Sequence, residues 1–158
     1  MHPTKNSIPD NTRTALVEVL HARLVDTLDL ASQTKQAHWN IKGSNFIALH
    51  ELFDQLHSEA VEHGDEIAER MVALGGQAKG TVRASASDSS LDEYPLDARR
   101  QEDHIEALSN ALAKYGHQIR NSIHEVSEIG DPNTEGLFTD ISTAVEKSLW
   151  MVESHSHI

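Results

Sequence analysis

The chain has 158 residues, a formal net charge of −12, eleven histidines and no cysteine. That is one domain's worth of chain, long enough for a real core, and it excludes a disulfide scaffold. The acidity works against binding a polyanion and suits a protein that attracts cations. No apolar run approaches the roughly 18 residues of a membrane-spanning helix, and the N-terminus lacks a signal peptide's hydrophobic segment, so a cytoplasmic protein with no membrane contact is expected.

Residues 1–10 read as a short arm containing His2, Pro3, Lys5 and Pro9. A first helix starts near Asn11 or Thr12, because Leu16, Leu20, Leu24, Leu28 and Ala31 recur at helical spacing. The same face continues to Lys35 and His38. The segment Ile41–Ser44, with Lys42-Gly43, is short enough to make the first two helices an antiparallel hairpin. A long helix then runs from Asn45 to Leu74 without a turn signal; Ser44 or Asn45 can cap it and Gly75-Gly76 can end it. Its core stripe is Leu49, Leu52, Phe53, Leu56, Ala60, Ile67, Met71 and Leu74.

From Gly75 to about Asp97 the periodicity breaks, and Gly, Ser and Ala dominate up to Tyr94-Pro95. So long an irregular stretch is explained by a crossover between the halves of a bundle, with a short helical turn expected around Ser89–Glu93. A third helix starts near Ala98 and carries Ile105, Leu108, Leu112, Tyr115, Ile119, Ile123 and Val126. It stops at Gly130; Asp131 then caps a fourth helix with Pro132 at its first position and a stripe of Leu137, Ile141, Val145, Leu149 and Val152. The expectation is an all-α protein: a four-helix bundle over 11–153 with a long crossover between helices two and three, followed by a short tail, 154–158.

The long helix carries metal-ligand types on one flank. His50 and Asp54 are four residues apart, as are Asp65 and Glu69, and the last three lie about 40°, 60° and 100° around from His50. Yet His50 and Asp65 are about 22 Å apart along the axis, and a metal–ligand bond is only about 2.0–2.3 Å long. One chain cannot close such a site. A second copy packed antiparallel, with its dyad between Glu59 and Ala60, sets His50 against Glu69 and Asp54 against Asp65 of the partner. Gly64 on that flank would let the helices approach closely, and His38 can fold back beside His50. A di-iron site inside one bundle is disfavoured, because the chain lacks the pair of Glu-x-x-His motifs such sites use.

These segments resemble a known family. HWN at 38–40, HELFD at 50–54, DEIAER at 65–70 and the LGG that ends the long helix are similar to the signature of the Dps proteins, the mini-ferritins. TKQAHWN, EYP at 93–95, GDPNTEGLFTD at 130–140 and EKSLW at 146–150 extend the resemblance to almost the whole chain. It implies a ferritin-like bundle and a ferroxidase site shared across a two-fold axis, with His38, His50, Asp54, Asp65 and Glu69 as ligands. It further implies a pair of irons per site, zinc fitting the same ligands, and hydrogen peroxide preferred over dioxygen as oxidant. The ferric product would be stored in a hollow dodecamer that protects DNA from oxidative damage. Trp39 would lie close to the iron and be oxidised during turnover. Iron would enter through acidic three-fold channels, for which Asp131, Glu135, Asp140 and Glu146 are candidates. Many relatives carry Asp where Gly136 and Ala144 stand here, and acids at a helix start also simply favour the dipole.

Direct DNA binding is not expected, and association with the nucleoid is left open. The arm offers only Lys5 and Arg13 against Asp10, and the tail has His155 and His157 but no Lys or Arg. Two other functions are open to the same residues. One is a DNA-compacting structural dodecamer with little catalysis. The other is a mononuclear zinc hydrolase, in which HELFD resembles HExxH, with Asp54 as second ligand, Glu51 as base and His57 as third ligand.

Overall fold

The computed structural model describes residues 1–156. Four long helices and one short one are present: α1 Asp10–Asn40, α2 Phe46–Ala73, α3 Val82–Asp88, α4 Gln101–Ile129 and α5 Pro132–Glu153. Helices α1 and α2 form one antiparallel hairpin and α4 and α5 another; α1 packs on α4 and α2 on α5, which closes the bundle. Among the described residues no helix is long and apolar enough to cross a membrane. Residues 157–158, including the tail residue His157, lie outside the described residues.

The expected stripes converge on one core. Leu16, Leu20, Leu24, Leu49, Phe53, Ile67, Leu108, Tyr115, Ile119 and Val126 are all essentially inaccessible. Tyr115 resolves its buried hydroxyl by donating to Thr27 Oγ1 at 2.6 Å, and Thr27 passes its own proton to the Arg23 carbonyl at 2.6 Å. Burial raises the Tyr115 phenol above its ordinary range, so this chain of donors stays neutral.

Boundaries depart from expectation in three places. Asn45 occupies the N-cap of α2, but its side chain makes no capping bond; its N–H donates instead to Gln101 Oε1 at 3.2 Å, tying the hairpin loop to the start of α4. Helix α4 begins at Gln101 rather than near Ala98, because Asp103 collects the N–H groups of Arg99 and Arg100 at 3.3 and 3.0 Å. The short helix lies at Val82–Asp88, where Thr81 caps it by accepting from the Ala84 N–H, while residues 89–93 contain no helix.

What holds the crossover is α1. Ser85 Oγ donates to the Val25 carbonyl at 3.0 Å. Asp26, wholly buried, accepts from the Ser90 N–H at 2.6 Å and Ser90 Oγ at 3.0 Å while pairing with Arg23 at 2.8 Å. Gln33 donates to the Asp92 carbonyl at 2.9 Å. At the other end of the bundle, the arm turns back on α2. The His2 N–H reaches the Gly75 carbonyl at 2.6 Å, and the buried Arg13 guanidinium donates to the Ile8 and Leu74 carbonyls and to Asp10. Gly75 has φ +84°, and a Cβ on Gly76 would lie 2.7 Å from Val17, so both glycines are required where α2 ends.

Replacing Asp26 by Ala leaves a buried guanidinium unpaired and frees the crossover. We expect Asp26→Ala to cost about 3–5 kcal/mol in chemical denaturation, with faster amide exchange at Ser90. Unchanged exchange there would show that Asp26 does not hold the crossover.

Candidate metal centre

The hairpin register brings His38, near the end of α1, against His50 in the second turn of α2. The two imidazoles are cross-bonded: His38 Nδ1 donates to the His50 carbonyl at 2.7 Å and His50 Nδ1 donates to the His38 carbonyl at 2.9 Å. A carbonyl only accepts, so each Nδ1 carries a proton, and in the neutral ring each Nε2 then offers its lone pair. The rings stack at 3.7 Å with 21° between planes, and Phe46 lies 5.0 Å from His50. Such backbone anchoring fixes the ring and tautomer of a metal-ligating histidine.

The next rung of the hairpin is ionic. Lys35, three residues before His38, pairs with Asp54, four residues after His50. The Asp54 carboxylate is half exposed. The hydrogen bond from Lys35 is the main cause that holds it below its ordinary range, so it is anionic and already accepts a cation. A third rung follows, in which His57 Nδ1 donates to the Ala31 carbonyl at 2.8 Å. The three rungs lie along one seam between α1 and α2.

Asp65 and Glu69 lie further along α2, both exposed, and among the described residues neither makes a side-chain hydrogen bond or ion pair. In keeping with the helix-length argument, the structure does not bring them to His38 and His50. Among the described residues no three histidine, aspartate or glutamate side chains of one chain converge on a metal position. One Glu-x-x-His spacing does occur, Glu18 to His21, but a second is lacking and His21 Nε2 faces Asp88 at 3.3 Å.

The flank that carries these candidate ligands is partly apolar. Ile47, Val61 and Val72 are 61 %, 50 % and 58 % exposed, and they lie about 60°, 20° and 40° from His50 around the helix. The dyad that sets His50 opposite Glu69 also sets Ile47 opposite Val72. A groove lined by Leu28, Val61, Asp65, Ala68 and Ala78 runs beside them. Gly64 also lines that groove, and a Cβ there would meet Leu28 and Thr27 of α1 at 3.6 and 3.7 Å. Trp39, next to His38, is 67 % exposed.

The four channel candidates separate. Asp131 is buried and committed to the fold: it accepts from the Thr134 N–H and hydroxyl at 3.3 and 2.5 Å and pairs with Arg70 at 2.6 Å. Burial opposes its ionisation, but Thr134 and Arg70 outweigh that and hold its carboxyl low. Glu146 pairs with Arg120. Glu135, partly exposed, and Asp140, exposed, make no side-chain bond among the described residues. In the tail, His155 Nδ1 donates to the Met151 carbonyl at 2.9 Å.

Sequence reasoning did not find Lys35 as the partner of Asp54, nor the anchoring of His57. The signal was available in the hairpin: residues equidistant from its loop face one another.

Comparison with known proteins gives a consistent result. Residues 17–157 match the model of the ferritin-like domain. The chain is 44 % identical to the DNA protection during starvation protein of Agrobacterium fabrum, over 98 % of this chain and 95 % of that protein. Among solved structures it is similar to a tetragonal form of Mycobacterium smegmatis Dps, with a TM-score of 0.92 at 28 % identity, covering 98 % of this chain and 93 % of that one. It is also similar to DpsA14 of Streptomyces coelicolor, with a TM-score of 0.91 at 32 % identity, covering 96 % and 90 %. The fold, the length and these likenesses together show that the chain belongs to the Dps family of ferritin-like proteins.

Proposed function

We propose that the protein is a ferroxidase and iron store of the Dps type, working in the cytoplasm. The observation that carries this reading is the backbone-anchored histidine pair. Two imidazoles fixed with free Nε2 lone pairs, beside a carboxylate that already holds a cation, suit iron(II). The partner subunit's Asp65 and the partner subunit's Glu69 complete each site, and each isologous dimer has two such sites. The exposed Ile47, Val61 and Val72 supply the apolar surface that such a dimer buries.

Iron(II) is the substrate. Two iron(II) ions each give one electron to hydrogen peroxide, its O–O bond breaks, and with two protons it leaves as two waters. Paired oxidation consumes the peroxide without releasing hydroxyl radical, while dioxygen serves less well. Carboxylates from the partner favour the iron(III) product by charge. Zinc fits the same donors and would compete for them. Twelve subunits built from these dimers would enclose the ferric mineral, with Glu135 and Asp140 the better channel candidates, since Asp131 and Glu146 are paired within the chain. Trp39, exposed and next to His38 in the chain, would take up a stray oxidising equivalent.

The protection of DNA is then chemical. Arg13, one of the two arm cations, is buried with its donors used, which supports the expectation that the arm does not bind a polyanion. The zinc-hydrolase alternative needs His57, Asp54 and His50 on one ion, and these do not converge within one chain among the described residues.

Iron(II) added anaerobically and then exposed to peroxide should oxidise fast, and with dioxygen slowly, leaving a soluble ferric product. Asp65→Ala with Glu69→Ala should reduce the peroxide rate to that of protein-free buffer with helix content unchanged. A double variant as fast as the parent would remove both residues from the site. Val72→Glu puts a charge into the apolar seam, and the expectation is a smaller particle on gel filtration with ferroxidase activity lost alongside. Full activity in a monomeric Val72→Glu protein would exclude a shared site. The intact protein should not retard DNA in a gel at pH 7 at any salt concentration; salt-dependent retardation would restore the DNA-compacting reading.

A further inference from the structure

The third rung of the α1–α2 seam has no part in the reaction described above. His57 is three residues from Asp54, on the side away from His50, and lies about 20° from His50 around the helix. Its Nδ1 donates to the Ala31 carbonyl at 2.8 Å, the same anchoring to α1 backbone that His50 receives from His38. In the neutral ring its Nε2 offers the lone pair, and it makes no hydrogen bond among the described residues. A histidine held this way is prepared as a ligand rather than as a packing residue, because its ring is fixed at a backbone cost already met by the bond to Ala31.

Between the two anchored rungs is Asp54. Its carboxylate is half exposed and touches Lys35, and along the seam it lies between the anchored His50 and the anchored His57. A carboxylate flanked by imidazoles on both sides has a lone pair for each. Side chains three residues apart on a helix are neighbours, so Asp54 and His57 can share one ion while His38 and His50 serve another.

Resting on the ferroxidase reading of His38, His50 and Asp54, we propose that His57 and Asp54 form a loading station for a divalent transition-metal cation. The station is one helical turn from the histidine pair and is kept neutral by the Lys35 ammonium until the cation displaces it. Two protein ligands from one chain hold an ion weakly, which suits a site that must pass it on. Water or the partner subunit's Asp65 completes the shell. Lys35 supplies the exchange: a monovalent cation on a flexible stem gives way to a divalent one at the same carboxylate.

The probe is cobalt(II), which takes imidazole and carboxylate ligands and reports them in its visible absorption. The assembled protein, stripped of metal, is titrated as the parent chain, as His57→Asn, as His57→Gln and as His50→Ala. Asparagine places an amide nitrogen where Nδ1 was, so it keeps the bond to Ala31 and deletes the ligand. Glutamine reaches toward the Nε2 position and breaks the rung. The expected result is two classes of cobalt site in the parent, loss of the weaker class in His57→Asn, and loss of the tighter class alone in His50→Ala. A His57→Asn protein that titrates like the parent overturns the proposal, all the more if His57→Gln is impaired, because His57 is then only a strut. If His50→Ala changes nothing while His57→Asn loses cobalt, the ferroxidase assignment fails and the ligand role of His57 stands. A second measurement needs no variant. Carbethoxylation of the parent chain, read by mass spectrometry, should show His57 protected by cobalt only at concentrations above those that protect His38 and His50. Modification of His57 that cobalt never slows overturns the proposal.

Discussion

A straight α-helix moves its side chains apart by 1.5 Å for every residue, and a metal ion tolerates almost no separation between its ligands. Those two lengths decide most of what this chain must be. They forbid α2 from closing a site with both of its candidate ligand clusters, and the proposed metal site therefore calls for a second copy running the opposite way. The unbroken length of α2, its paired placement of ligands about Glu59 and Ala60, and the apolar residues on the same flank all answer that requirement.

The second constraint is the α1–α2 hairpin. Its loop is only Ile41–Asn45, so the register of the two helices is set within narrow limits, and residues at equal distance from the loop must meet. Apolar pairs fill the side that faces the bundle. Along the other edge the pairs are polar, and two of the three rungs tie an imidazole to backbone. The chain spends main-chain carbonyls near the end of α1 and on α2 to orient histidines, which is affordable where those carbonyls would otherwise be bonded only within their own helix. Lys35 belongs to the same economy of charge, since it neutralises Asp54 on a flank that otherwise carries Asp65 and Glu69.

The long helices and their core were legible because stripes of Leu, Ile and Val at helical spacing have one stable use. Phe138 was missed: it is fully buried, while its neighbour Leu137, which fits the stripe, is only partly so, because a core-facing stripe is wider than a single line of residues. Helix α3 was displaced from its expected place because Val82–Asp88 has no apolar period of its own and is held by Ser85 on the Val25 carbonyl, a tertiary bond that local composition does not announce. The same holds at the site. The candidate ligand types and their spacing could be listed from the sequence; the Nδ1 bonds that anchor the histidines could not, since they depend on how the hairpin closes. Asp131 illustrates the converse. Its capping role was visible from Asp131-Pro132, and burial with Arg70 then removed it from the set of free acids.

The returning arm has a consequence for what can be attached to the chain. Because the His2 N–H is bonded at Gly75, the amino terminus leaves the surface at the end of α2, a turn or so beyond Glu69 and Val72. Anything fused ahead of Met1 is therefore tethered next to the face proposed for the second copy. It acts there at the high effective concentration of a short linker. On the proposed arrangement a bulky fusion would be an intramolecular competitor of assembly, and a small acidic one a competitor for the metal.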